Sequence, residues 1–134
     1  MTPCHACRVS ISTLVAEASR RSGVLWVSSP TVAPTLLWHV WHDGAAYVVC
    51  GGAEQALAPL GPTATVAVRA KAGALVVQWE ASVSGVEPGS ALWDEVTPLL
   101  AAERLNAASV QDLPGQWAAT STVLQLAPIQ PTSA

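Results

Sequence analysis

The sequence predicts a mainly β domain, an antiparallel barrel with helices at its periphery. Three observations carry that prediction. Two pairs of β-prone runs each flank a turn dipeptide, Asp43-Gly44 and Ala72-Gly73, so neighbouring strands are joined by hairpins and not by crossovers. The series Leu75, Val77, Trp79, Ala81 and Val83 puts an apolar side chain at every second position, the period of a strand with one face in a core. Helical patterns occur only ahead of the first strand and late in the chain, so no β-α-β alternation calls for a parallel sheet.

The length of 134 residues fits a single domain, 1–134. A chain of this size buries roughly two thirds of its unfolded surface. Residues 1–11 and 129–134 are expected to be loose tails. Half of the residues are hydrophobic (51%) and only 11% are charged, which calls for a face buried against a partner or a ligand. The net charge is -3, and six Lys and Arg form no basic stripe, which argues against a nucleic-acid partner. No apolar run is long enough to span a membrane, and the first residues lack a secretory h-region. A cytoplasmic protein is the expectation.

Taken in order, residues 12–22 read as a short helix capped by Ser12 or Thr13, with Leu14, Val15 and Ala18 on its apolar side and Gly23 at its end. Val24 to Val27 follows as a strand, and Ser28 to Pro34 as a loop. The first clear hairpin joins Leu36–His42 to Ala45–Cys50 through Asp43-Gly44, a dipeptide suited to a type I′ turn. Such a turn sets His42 opposite Ala45, Val40 opposite Tyr47, His39 opposite Val48 and Trp38 opposite Val49. One face then carries Trp38, Val40, Tyr47 and Val49, the other Leu37, His39, Trp41, Val48 and Cys50. Both faces are apolar, so one fills a barrel while the other needs a helix, a second subunit or a ligand.

Gly51 to Pro62 is a Gly- and Pro-rich loop. The second hairpin joins Ala64–Lys71 to Ala74–Val86, with Val68 against Val77 and Val66 against Trp79. Its outward face carries Thr65, Arg69 and Lys71 beside Gln78, Glu80 and Ser82. Pro88-Gly89-Ser90 then starts a helix running to about Asn106, with Leu92, Trp93, Val96, Leu99 and Leu100 as its stripe and Pro98 placed to kink it. Ala107 to Gln116 reads as a connection and Ala118 to Pro128 as the last strand.

Few residues carry a chemical signature. Cys4, His5 and Cys7 have the spacing of half a zinc site, but no second ligand pair follows, so no metal is expected there. Cys50 reads as a small buried hydrophobe. His39 reads as a hydrogen-bonded core or interface histidine, and His42 as solvent-facing beside the turn. Arg69 and Lys71 share a face with Glu80, which suits cross-strand charge pairing. Glu54 and Glu80 make no convincing catalytic pair, and no nucleophile elbow, P-loop or dinucleotide fingerprint is present. Catalytic residues therefore remain unassigned.

The chain resembles the small actinobacterial members of the pyridoxamine 5'-phosphate oxidase-like family from about Val24 to Ala127. The segments that carry the likeness are Trp38-His-Val-Trp41 before Asp43-Gly44, Tyr47-Val-Val-Cys-Gly-Gly-Ala-Glu-Gln55, Trp79-Glu-Ala-Ser-Val83, and Glu87-Pro-Gly-Ser90 leading through Trp93 to Arg104-Leu-Asn106. The resemblance implies an antiparallel split β-barrel that is homodimeric, with FMN or a deazaflavin coenzyme in grooves between the subunits. It sets Trp38, His39 and Val40 along the flavin ring, Gly51, Gly52, Glu54 and Gln55 in the phosphate loop, and Arg69 and Lys71 as nearby cations. Gln55 stands where the family commonly has a Lys, and a Gln amide brings no charge to a phosphate. Three uses stay open: a flavin- or deazaflavin-dependent oxidoreductase acting on a small molecule, a non-catalytic carrier of a flavin, a haem-like ligand or another planar molecule, and a structural dimer.

Overall fold

The computed structural model describes residues 15–20, 22, 24–51, 54, 55, 57, 59–70, 74–103 and 113–129. Helix α1 covers 15–20. The strands are β1 (Val24–Ser29), β2 (Val32–Trp38), β3 (Val40–His42), β4 (Ala45–Cys50), β5 (Thr63–Arg69), β6 (Leu75–Gly85) and β7 (Thr122–Pro128). Helices α2 (Ala91–Glu103) and α3 (Leu113–Thr120) lie between β6 and β7. The fold is mainly β and antiparallel, as the hairpin signals require.

All seven strands belong to one sheet in the order β2-β1-β5-β6-β7-β4-β3. Its two edge strands, β2 and β3, are separated in sequence by His39 alone. Two edges joined by a single residue have to come together, so the sheet curls into a barrel. Leu25, Val27, Leu37, Val48, Val66, Trp79 and Leu126 fill the interior. Trp41 meets Trp79 edge to face there, with ring centroids 5.9 Å apart. A second core lies on the outer side, where Tyr47, Val49 and Val123 pack against Trp93, Val96, Leu100 and Trp117 from α2 and α3.

The Asp43-Gly44 hairpin forms in the predicted register, with Val40 opposite Tyr47 and His42 opposite Ala45. Both turn residues have positive φ, 49° and 82°, as a type I′ turn demands. The second hairpin keeps Val68 against Val77 and Val66 against Trp79, then slips by one residue to set Arg69 against Leu75. Its closing bond runs from the Ala70 N–H to the Ala74 carbonyl. The dipeptide Ala72-Gly73 lies outside the described residues.

Several expectations are corrected. Ser28 to Pro34 is not a loop: β1 and β2 form a hairpin around residues 30 and 31, with Ser29 against Val32. Pro34 is tolerated because β2 is an edge strand whose pairing is irregular at this point. Leu36 to His42 is not one strand, and neither His39 opposite Val48 nor Trp38 opposite Val49 pairs; Trp38 pairs with Val24 on β1. Residues 113–116 are helical instead of a connection, and 118–120 end α3 instead of starting a strand. Leu99, assigned to the buried stripe of α2, is 40% exposed, while Thr97 is buried by donating its hydroxyl to the Trp93 carbonyl at 2.8 Å. The helix starts where expected, because Ser90 Oγ accepts the Trp93 N–H at 3.1 Å. Ile129, placed in the loose tail, still donates its N–H to the Glu80 carbonyl at 2.9 Å.

Candidate functional site

Trp38 sits where β2 ends, and the reason the strand ends is a side chain from elsewhere. Gln55 inserts its amide between the two strands that the local pattern would have paired. Its Oε1 accepts the Trp38 N–H at 2.6 Å, and its Nε2 donates to the Trp38 carbonyl at 3.1 Å and the Val49 carbonyl at 3.3 Å. The amide thus takes the place of the predicted pairing between Trp38 and Val49.

The loop that brings Gln55 there is closed on itself. Gly51 adopts φ +84°, which favours glycine, and its N–H donates to the Gln55 carbonyl at 2.8 Å. The Glu54 N–H donates to the Gly51 carbonyl at 3.0 Å, and the Ser121 hydroxyl donates to the same carbonyl at 2.9 Å. Trp117, 1% exposed, donates its indole N–H to Glu54 Oε2 at 3.0 Å. The Trp117 clamp had no signal in the sequence, since nothing in the local pattern marks that tryptophan as a partner of a loop 63 residues away.

Of the residues assigned to a site, Trp38, Gly51, Glu54 and Gln55 come together around this loop. His39 turns the other way. Its Nε2 lies 2.7 Å from the Ser19 carbonyl on α1, and Ser19 Oγ accepts the Trp79 indole N–H at 3.2 Å. It is buried beneath α1, the hydrogen-bonded core histidine expected from its apolar neighbours. Val40 is half-buried against the outer, helix-covered core. Arg69 ends β5 and is exposed. The strand β1 runs antiparallel to both β2 and β5, so the end of β5 that carries Arg69 points the same way as the end of β2 that carries Trp38. Trp38 and Arg69 therefore lie toward one end of the barrel, one strand apart. Gly52, Lys71 and the Cys4-His5-Cys7 cluster lie outside the described residues.

The polar groups have specific environments. His42 faces Glu95 on α2, with Nε2 to Oε1 at 3.4 Å, and its ring is 6.3 Å from that of Tyr47. The Tyr47 hydroxyl accepts from Gln125 Nε2 at 2.8 Å. Burial pushes the Cys50 thiol above its usual pKa, and its Sγ lies 3.7 Å from the Thr122 carbonyl. Among the described residues no group of three His, Cys, Asp or Glu side chains could hold a metal ion. Among them, too, no helix is long and apolar enough to cross a membrane.

A curled antiparallel sheet with edges joined through His39, capped by α1 inside and clad by α2 and α3 outside, defines a split β-barrel. A solved structure has the same fold. The crystal structure of HutZ, the heme storage protein from Vibrio cholerae, matches with a TM-score of 0.58 at 14% identity, over 87% of this chain and 89% of that one. No family profile matches the chain. No curated protein sequence matches it either.

Proposed function

We propose that this chain is a ligand-binding split barrel that holds a flat, largely apolar ring system against Trp38, with a tetrapyrrole favoured over FMN or a deazaflavin coenzyme. The observation that carries the reading is that Gly51, Glu54 and Gln55 turn their polar groups onto the chain's own backbone. A flavin phosphate needs charge-assisted donors. Here Gln55 spends its amide oxygen and both amide hydrogens on Trp38 and Val49, and the Gly51 and Glu54 N–H groups are spent within the loop. Gly51, Glu54 and Gln55 therefore suit the ring end of such a ligand and not its phosphate end. Trp38, with exposed Val24 and Leu36 beside it, offers an apolar wall on which a ring can stack. A neighbour with this fold is a heme storage protein, which supports a tetrapyrrole.

Arg69 supports a second reading, the flavin one, because it brings a cation to the end of the barrel that holds Trp38. In either case redox chemistry would come from the ligand, with the protein supplying orientation and a dry wall. Titration of the purified chain with haemin, FMN and a deazaflavin, followed by absorbance and tryptophan fluorescence, separates the readings. Haemin binding that Trp38→Ala weakens at least about tenfold, a loss of about 1.4 kcal/mol, is the expected result. Tighter binding of FMN or the deazaflavin would replace the tetrapyrrole with the flavin reading. Binding of none would end both.

A further inference from the structure

Trp38 is fixed from two sides. Its backbone N–H and carbonyl bond to the Gln55 amide, and its side chain is part-buried against the outer core. Because that amide stands in for strand pairing, the place of the Trp38 backbone follows the place of Gln55. The backbone of Gln55 joins a strand through a single bridge to Cys50. A turn of this kind opens at small cost unless something ties it down. The ties come from the end of α3. The Trp117 indole N–H donates to Glu54 Oε2 at 3.0 Å, and the Ser121 hydroxyl donates to the Gly51 carbonyl at 2.9 Å. A Cβ at Gly51 would sit 3.8 Å from the Thr120 carbonyl oxygen, so the turn lies against the helix end. Trp117 is the firmest of these anchors. It is buried in the outer core with Trp93 and Leu100, and its N–H would lose its acceptor if Glu54 moved away.

We propose that Trp117 is a positioning residue for the ring wall: acting through Glu54 and Gln55, it holds Trp38 where a ring stacks. Buried as it is, Trp117 touches no ligand itself. Glu54 and Gln55 are chain neighbours, so a displaced Glu54 carries Gln55 with it, and Gln55 carries the Trp38 backbone. The coupling works both ways. A ring on Trp38 favours the same loop position and so steadies the bond from Trp117. The consequence for ligand affinity rests on the ligand reading above, whereas the consequence for Trp38 itself does not.

Amide exchange of the whole chain without ligand is the first readout. Trp117→Phe keeps most of the ring but not the N–H. It is expected to speed exchange of the Trp38 amide at least about threefold more than exchange of the β5 amides at Val66 and Val68. The second readout is haemin titration followed by absorbance. Trp117→Phe and Glu54→Ala are each expected to weaken haemin binding at least about threefold, and the two together no more than either alone. Glu54→Gln, whose amide oxygen still accepts the indole N–H, is expected to recover most of the loss. Ser90→Ala, which destabilises the start of α2 without touching the loop, is expected to leave haemin affinity unchanged, so a general loss of stability is not what the titration reads. If Trp117→Phe does not fold, Glu54→Ala carries both readouts. A Trp38 amide that speeds up no more than those of β5 would overturn the inference. So would haemin binding that Trp38→Ala weakens and Trp117→Phe leaves untouched, a result that spares the ligand reading. Binding of no haemin would end the tetrapyrrole reading and leave the Trp38 amide to decide the positioning.

Discussion

Replacing Gln55 with Leu keeps the side chain's bulk near the barrel edge and deletes every polar contact it makes. The Trp38 N–H loses its acceptor at 2.6 Å, and the carbonyls of Trp38 and Val49 lose donors at 3.1 and 3.3 Å. These backbone groups are part-buried, so water replaces the lost partners only incompletely. At about 1 kcal/mol for each of the three bonds, the expected loss is about 2 to 4 kcal/mol. Urea unfolding followed by tryptophan fluorescence reads it directly. With a slope of about 2 kcal/mol per molar, the midpoint falls by about 1 to 2 M while the slope stays constant. Gln55→Lys, the residue the family resemblance leads one to expect, restores donors but leaves the Trp38 N–H without an acceptor, and falls between the wild type and Leu. A Gln55→Leu loss under about 0.5 kcal/mol, within the range of an ordinary surface substitution, would refute the claim that this amide substitutes for strand pairing.

Trp117→Phe keeps most of the ring in the outer core but removes the indole N–H bond to Glu54, and is expected to cost about 1 to 2 kcal/mol in the same assay. Faster amide exchange at Gly51 and Glu54 should accompany it if Trp117 holds the loop. Ser90→Ala removes the N-cap of α2, for an expected loss of about 1 kcal/mol that Ser90→Asp recovers. The Cys50 thiol, raised by burial, is expected to react with an alkylating reagent at pH 8 at least about tenfold more slowly in the native state than in urea, measured with Cys4 and Cys7 replaced by Ser. The sign for stability follows. The folded state favours the protonated thiol, so this contribution is present below the thiol's unfolded pKa and is lost as pH rises through its raised folded value.

Much of the sheet was legible because its signals are local. The alternation from Leu75 to Val83 places Trp79 and Ala81 inside whatever the rest of the chain does, since a strand has a period of two. Asp43-Gly44 sets its own register, because both residues tolerate the positive φ that a tight hairpin needs. Ser28 to Pro34 misled for a related reason. Ser and Pro are turn residues by composition, and only the position of β2 at a sheet edge lets Pro34 sit in a strand. Residues 113–120 carried Pro and Gly, so the helix there draws its support from the burial of Trp117 and not from propensity.

The candidate site was legible as a set of residues but not as an arrangement. Trp38 and Gln55 were both singled out, yet the bond between them depends on a loop folding back across 17 positions. No pattern in either segment encodes that approach. The same holds for His39, whose apolar neighbours marked it as buried while its partner Ser19 lies 20 positions away.

By itself, the sequence determined the fold class, the two hairpins and the faces of their strands, because alternation and turn chemistry act between near neighbours. Only the tertiary structure decided that the strand breaks at His39, that α2 and α3 cover the hairpin, and that among the described residues Leu36, Val76 and Val24 stay exposed. Those outcomes depend on which edges meet when the sheet curls, and on long-range bonds such as the one from Gln55, which are set by closure of the whole barrel.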